Sequence, residues 1–162
     1  MSDMKENMTK LQIITRKFWI RIEKPVWSFI VNSVFWLFRL NKIGQVRREL
    51  VLLKDWKLQP MMELFTWKED KGGDWTSWVS TLIWQYFNGD CDDAARLGYW
   101  WFKQNGVEAE ILNLYSKSEG HTVCITKDRT KMVTNERVVN LNPATWKQDV
   151  MKYFNDEYEV MF

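Results

Sequence analysis

Hydrophobic and polar positions change their spacing along the chain, and those changes divide it into helices first and strands later. From Phe18 to Leu40 the residues are mostly apolar, FWIRIEKPVWSFIVNSVFWLFRL, interrupted by Pro25 and by Ser28, Asn32 and Ser33. A spanning helix needs about 20 predominantly apolar residues, so this run predicts a helix that does not cross a membrane. Pro25 suits its first turn, where a missing N–H costs nothing. Val46, Leu50, Leu53 and Trp56 recur at helical spacing and predict a helix over Gln45 to Leu58. Pro60 opens a short helical piece with Met62, Leu64 and Phe65, and Lys71-Gly72-Gly73 is the clearest break. Asp74 is the expected N-cap of a helix through Trp78, Leu82 and Tyr86, ended by Gly89.

The best-defined element is GDCDDAARLGYWWFKQNG, Gly89 to Gly106. Asp90 can cap it, Ala94, Leu97 and Trp101 repeat at helical spacing, and Gly106 suits a left-handed stop. Strand-like segments follow at Val107–Tyr115, His121–Lys127 and Lys131–Asn135 with Val138–Leu141, and Asp128-Arg129-Thr130 reads as a turn. Trp146, Val150 and Phe154 mark a closing helix, and Tyr158–Phe162 a last strand. Helices followed by antiparallel strands imply an α+β fold.

Charge adds a division that the periodicity lacks. Residues 1–58 hold 12 Lys/Arg against 5 Asp/Glu, a net of +7, whereas residues 59–162 hold 11 against 16, a net of −5. A basic, aromatic helical arm (1–58) and an acidic body (59–162) are the expected units. The acidic body makes nucleic acid an unlikely partner. The aromatic run, flanked by Arg16, Lys17, Arg21, Lys24, Arg39 and Lys42, suits an anionic membrane surface or a protein partner against which it packs. No charged-then-apolar leader opens the chain, so a cytoplasmic protein, peripheral to a membrane, with reduced thiols is expected.

Candidate chemistry centres on Cys91, in the first turn of the best-defined helix, where unpaired N–H groups and the helix dipole favour a thiolate. A cysteine nucleophile needs a base, and His121 is the single histidine. Asn135, on the next strand region, is suited to orient its ring, with Asn140 and Asn142 as rivals. Against this, Asp90, Asp92 and Asp93 disfavour a thiolate by like charge, and a Cys91 of this kind is also compatible with an ordinary buried thiol. A zinc set of Cys91, His121 and Cys124 is disfavoured, because residues three apart on a strand point to opposite faces. The acidic cluster lacks the ligand spacing of a calcium loop, and no phosphate-cradling glycine loop or dinucleotide fingerprint occurs. No metal or cofactor is therefore expected.

GDCDDAA, a helix ending QNGVEAEILNL, then GHTVCIT and MVTN together resemble the transglutaminase-like cysteine proteinases of bacteria, within the papain-like superfamily. The resemblance spans roughly residues 74–142. It implies a papain-like core, with a nucleophile-bearing helix on an antiparallel sheet. Cys91 is then the nucleophile, His121 the general base and acid, and Asn135 the orienting residue, where the family more often has Asp. It also implies a thiol protease or other hydrolase, or an acyltransferase, acting on a protein or peptide substrate. The backbone N–H of Cys91 would serve the oxyanion, with Gln85, six residues upstream, as side-chain donor and Asp90 and Asp93 in support. The alternative is the same fold without catalysis, acting as an interaction module.

Overall fold

The computed structural model describes residues 14, 15, 18, 22, 24–68, 76–116, 120–155, 158, 160 and 161. The expected glycine break at 71–73 and the Asp74 cap lie outside them. The chain is a mixed α+β structure with two sheets. Helix α1 (Lys24–Leu37) carries Pro25 in its first turn. After a short 3-10 turn at Leu40–Lys42 comes α2 (Ile43–Leu53), and then α3 (Leu58–Met62). The helix expected to reach Leu58 thus stops five residues early. Asp55 and Trp56 turn back to the carbonyls of Leu52 and Leu53, which leaves Trp56 outside the helix.

Strand β1 (Thr66–Trp67) pairs in parallel with β2 (Asn88–Gly89), and α4 (Val79–Trp84) precedes β2. The helix expected to run to Gly89 is therefore only six residues long. It is broken by Tyr86 and Phe87, both in the left-handed region at φ 56° and 58°, where no α-helix continues. Gly89 is a strand residue. A Cβ there would collide with the Asp93 carboxylate, so glycine is what lets β2 run past the following helix.

Helix α5 (Cys91–Gln104) forms as its sequence predicts. Ala94, Ala95, Leu97, Gly98 and Phe102 are its inward face, and Gly106 at φ 72° turns the chain out of it. A five-stranded antiparallel sheet follows in the order β6-β5-β4-β3-β7, made of β3 (Ala109–Tyr115), β4 (Gly120–Thr126), β5 (Lys131–Thr134), β6 (Arg137–Asn140) and β7 (Val160–Met161). The third strand region is thus a hairpin of two strands, tightened by Asn135 at φ 42°, a conformation Asn tolerates.

Side chains alternate across this sheet, giving it two different faces. Cys124, Val133 and Ala109 join the α5 residues in one buried cluster. Val123, Ile125, Met132 and Leu114 join Val150 of α6 (Trp146–Tyr153) and Tyr158 in the other. The first cluster also takes in Trp36, Val46 and Leu53, together with Leu58, Met61 and Met62, so the core crosses the boundary expected at residue 58. Among the described residues, no helix is long and apolar enough to cross a membrane.

Candidate functional site

Cys91 is held by a relay of buried polar bonds that begins on α1. Ser28, Asn32 and Trp36, four residues apart, are its buried positions. The Asn32 amide donates to the carbonyls of Ser28 (2.7 Å) and Thr76 (2.9 Å). Its oxygen accepts from the Trp78 N–H (2.8 Å) and the Thr81 hydroxyl (2.7 Å). The Trp36 indole N–H donates to Thr81 Oγ1 (3.1 Å), and the Thr76 N–H to Ser28 Oγ (2.8 Å). This segment is then tied to the start of α5. The Thr76 hydroxyl donates to the Asp92 carboxylate, and the Ser77 N–H to Asp93 Oδ1 (2.5 Å). Lys24 Nζ lies 3.1 Å from Asp92 Oδ1 with both side chains largely buried. Lys24, one of the cations expected to face a membrane, is thereby turned inward.

Asp90 is the N-cap of α5, and its carboxylate accepts from the Asp92 N–H (3.1 Å). Despite the helix N-terminus, the Cys91 thiol is pushed up to about 12, first by burial and then by the charges of Asp90 and Asp92. The Thr122 N–H against the sulfur and the Lys24 ammonium act in the opposite direction without offsetting this. The thiol is therefore protonated at neutral pH, contrary to what its place in the first turn suggests.

Thr122 directly follows His121, so Cys91 and His121 meet at the same end of β4. Their side chains leave it differently. Cys91 belongs to the layer of α5, whereas the His121 ring lies against Phe154 (centroids 4.8 Å apart) and Tyr158 (6.1 Å), in the layer of α6. Among the described residues the sulfur and the ring are not hydrogen-bonded to each other. Burial lowers His121 to about 4, so its imidazole is neutral at pH 7.

Asn135 does not orient the ring. His121 Nε2 is 2.8 Å from Thr134 Oγ1, one residue earlier. The register explains the exchange: Cys124 pairs with Val133, so Thr134 falls on the face of Val123 and His121, and the turn carries Asn135 away from it. Asn135 Oδ1 is buried without a hydrogen-bond partner. It borders a cavity of about 240 Å³ with Thr134, Arg137, Trp67 and Phe154. The rivals are elsewhere. Asn140 pairs with Lys131 at the far end of the hairpin, and Asn142 Oδ1 accepts from the Ala144 N–H (3.0 Å).

Gln85 is the C-cap of α4. Its carbonyl accepts from Asn88, and its side chain makes no hydrogen bond among the described residues. Cys124 is a wholly buried thiol on the α5 face while His121 faces α6, so Cys91, His121 and Cys124 are not assembled around one point. Donor atoms of Asp90, Cys91 and Asp92 do lie within 4.8 Å of one another, but Lys24 and Thr76 already engage Asp92. Lys24, Asn32, Thr76, Ser77 and Thr134 are the residues that sequence reasoning missed. One signal pointed to them, the polar i, i+4 pair Ser28 and Asn32 inside an apolar run. Comparison of the chain with protein-family models, with curated proteins and with solved structures gave no match.

Proposed function

We propose that the chain is a thiol-dependent hydrolase or acyltransferase acting at amide bonds, with the papain-like, transglutaminase-like core that its motifs resemble. The observation that carries this reading is the placement of the Cys91 sulfur against the Thr122 amide, one residue from a histidine whose Nε2 is bonded to Thr134. With Nε2–H donating to Thr134, Nδ1 is the ring nitrogen that serves as base, and Thr134 fills the orienting role. Taking the thiol proton requires the ring to swing from the α6 layer towards Cys91. The sulfur then attacks the carbonyl carbon, and the N–H groups at the start of α5 face the oxyanion. The amine leaves with the proton from the imidazolium, and water or a second amine releases the acyl group from the thioester. Because thiol and imidazole are both neutral at rest, the thiolate forms only as His121 takes the proton in the reaction.

A second reading keeps the fold without catalysis, as a protein-binding or membrane-surface module. It is favoured by the high Cys91 value and by the absence of a bond between the sulfur and the ring.

Alkylation of Cys91 against pH, with Cys124→Ser in every background, separates the two. An active pair predicts that His121→Ala slows alkylation at pH 7 about tenfold or more. It also predicts that Asp90→Asn, which still caps α5, moves the thiol's titration to lower pH by removing a like charge. A rate at pH 7 indifferent to His121 would establish the silent reading.

A further inference from the structure

Helix α1 is folded with its polar side inward, and its apolar side is left uncovered among the described residues. Around the helix the directions of Ser28, Asn32 and Trp36 are opposed by those of Val26, Ile30, Val34 and Leu37, with Trp27 and Phe29 on either flank. These six outward side chains are between 43% and 64% exposed. The same surface continues past the helix through Phe38, 77% exposed, and Leu40, 61% exposed. A monomer rarely leaves so much contiguous apolar surface in water without a use for it. The helix cannot roll to hide it, because that would pull Asn32 from its three buried hydrogen bonds to Thr76, Trp78 and Thr81.

Fourteen residues make a helix about 21 Å long, too short to cross a bilayer but suited to lie in its interface. Charge selects the occupant. Residues 1–58 carry +7, and Arg39 and Lys42 follow directly on the apolar stretch, whereas residues 59–162 carry −5. A second copy would bring two basic arms together, and like charges facing each other oppose that pairing. An anionic lipid surface attracts the arm, repels the body, and so sets the orientation. We propose that the outward face of α1 docks the protein on anionic lipid bilayers, with Val26, Trp27, Phe29, Ile30, Val34 and Leu37 entering the interface. This holds whether or not Cys91 is a nucleophile.

The test is cosedimentation of the full chain with phosphatidylcholine vesicles, with and without phosphatidylserine. The expected result is binding that requires phosphatidylserine, weakens in high salt, and falls about tenfold or more in Ile30→Glu/Val34→Glu. Leu64→Glu, an exposed apolar residue of another segment, should bind like the parent chain. Circular dichroism checks that each variant folds, and Ile30→Ser/Val34→Ser replaces the charged pair if it does not. Equal binding to neutral vesicles, no binding, or undiminished binding by the α1 variants would overturn the proposal. So would a dimer in sedimentation equilibrium that the α1 variants dissociate, since the face would then belong to a second copy.

Discussion

Helices α1 and α5 have the same length, fourteen residues each, and put it to opposite uses. Helix α5 buries an apolar face, with Ala94, Ala95, Gly98 and Phe102 against the sheet, and its carboxylates at the N-terminus are bonded by neighbouring segments. Helix α1 buries Ser28 and Asn32 beside Trp36 and leaves Phe29, Ile30 and Val34 in water. The first arrangement gains from removing apolar surface from water. The second is held by hydrogen bonds whose partners are sealed from solvent. Periodicity therefore marks the faces of a helix, but which face turns inward depends on what the neighbouring segment offers. Next to α1 that neighbour is residues 76–81, whose Thr76 carbonyl and Trp78 N–H, turned away from water, need a donor and an acceptor.

The largest test of this contrast is Asn32→Leu, which keeps the branched side-chain skeleton and removes every side-chain bond. The Thr76 carbonyl and the Trp78 N–H would be left buried without their partner. Each such group costs about 1–3 kcal/mol, so a loss of about 3–4 kcal/mol in urea unfolding is expected. A neutral outcome would mean that α1 is not held by its polar stripe, and the contrast with α5 would collapse.

The same contrast explains what the chain discloses before it folds. Helix α5 was fully legible, because cap, apolar spacing and terminal glycine all agree between Asp90 and Gly106. The strands of the five-stranded sheet were legible in place and nearly in extent, whereas β1 and β2, two residues each, were not. The hidden part was pairing. Whether His121 bonds Thr134 or Asn135 is decided by a register in which Val133 faces Cys124, and no local pattern states it. The end of α4 was hidden for a different reason. Tyr86 and Phe87 adopt left-handed backbones that favour Gly or Asn, so nothing in their identity signals the break. Residues 1–58 read as a separate arm because their charge differs from that of the body. Yet Val46 and Leu53 are core residues and Lys24 reaches Asp92, and no charge count shows such contacts.

Lys24 and Asp92 join the two helices directly, so Lys24→Met sharpens the comparison. Asp92 would keep the Thr76 hydroxyl but lose its only described counter-charge, in a site where neither side chain is well exposed. Removing one partner of a fully buried pair costs about 3–5 kcal/mol, and the residual exposure of Lys24 brings the expected loss to about 2 kcal/mol. Cys91 should respond too. Without the Lys24 ammonium its thiol rises further, so alkylation at a fixed pH near 9 should slow relative to the parent chain. A change in stability without any change in alkylation would mean that the pair ties α1 to α5 but lies too far from the sulfur to tune it.

The smallest expected effect probes α5 alone. A Cβ added at Gly98 would come within 2.8 Å of Val133 Cγ1, so the absence of a side chain there sets how closely α5 approaches β5. Gly98→Ala raises helix propensity by up to about 1 kcal/mol. Overpacking against Val133 costs about 1–3 kcal/mol, so the balance should be a loss of about 1 kcal/mol. Val133→Ala alone leaves a cavity and also destabilises. In the double variant the new methyl fills part of that space, so the two losses should sum to more than the double variant shows. Strict additivity would mean that α5 shifts away as a rigid body, and its packing would then be as adjustable as α1's is fixed by its bonds.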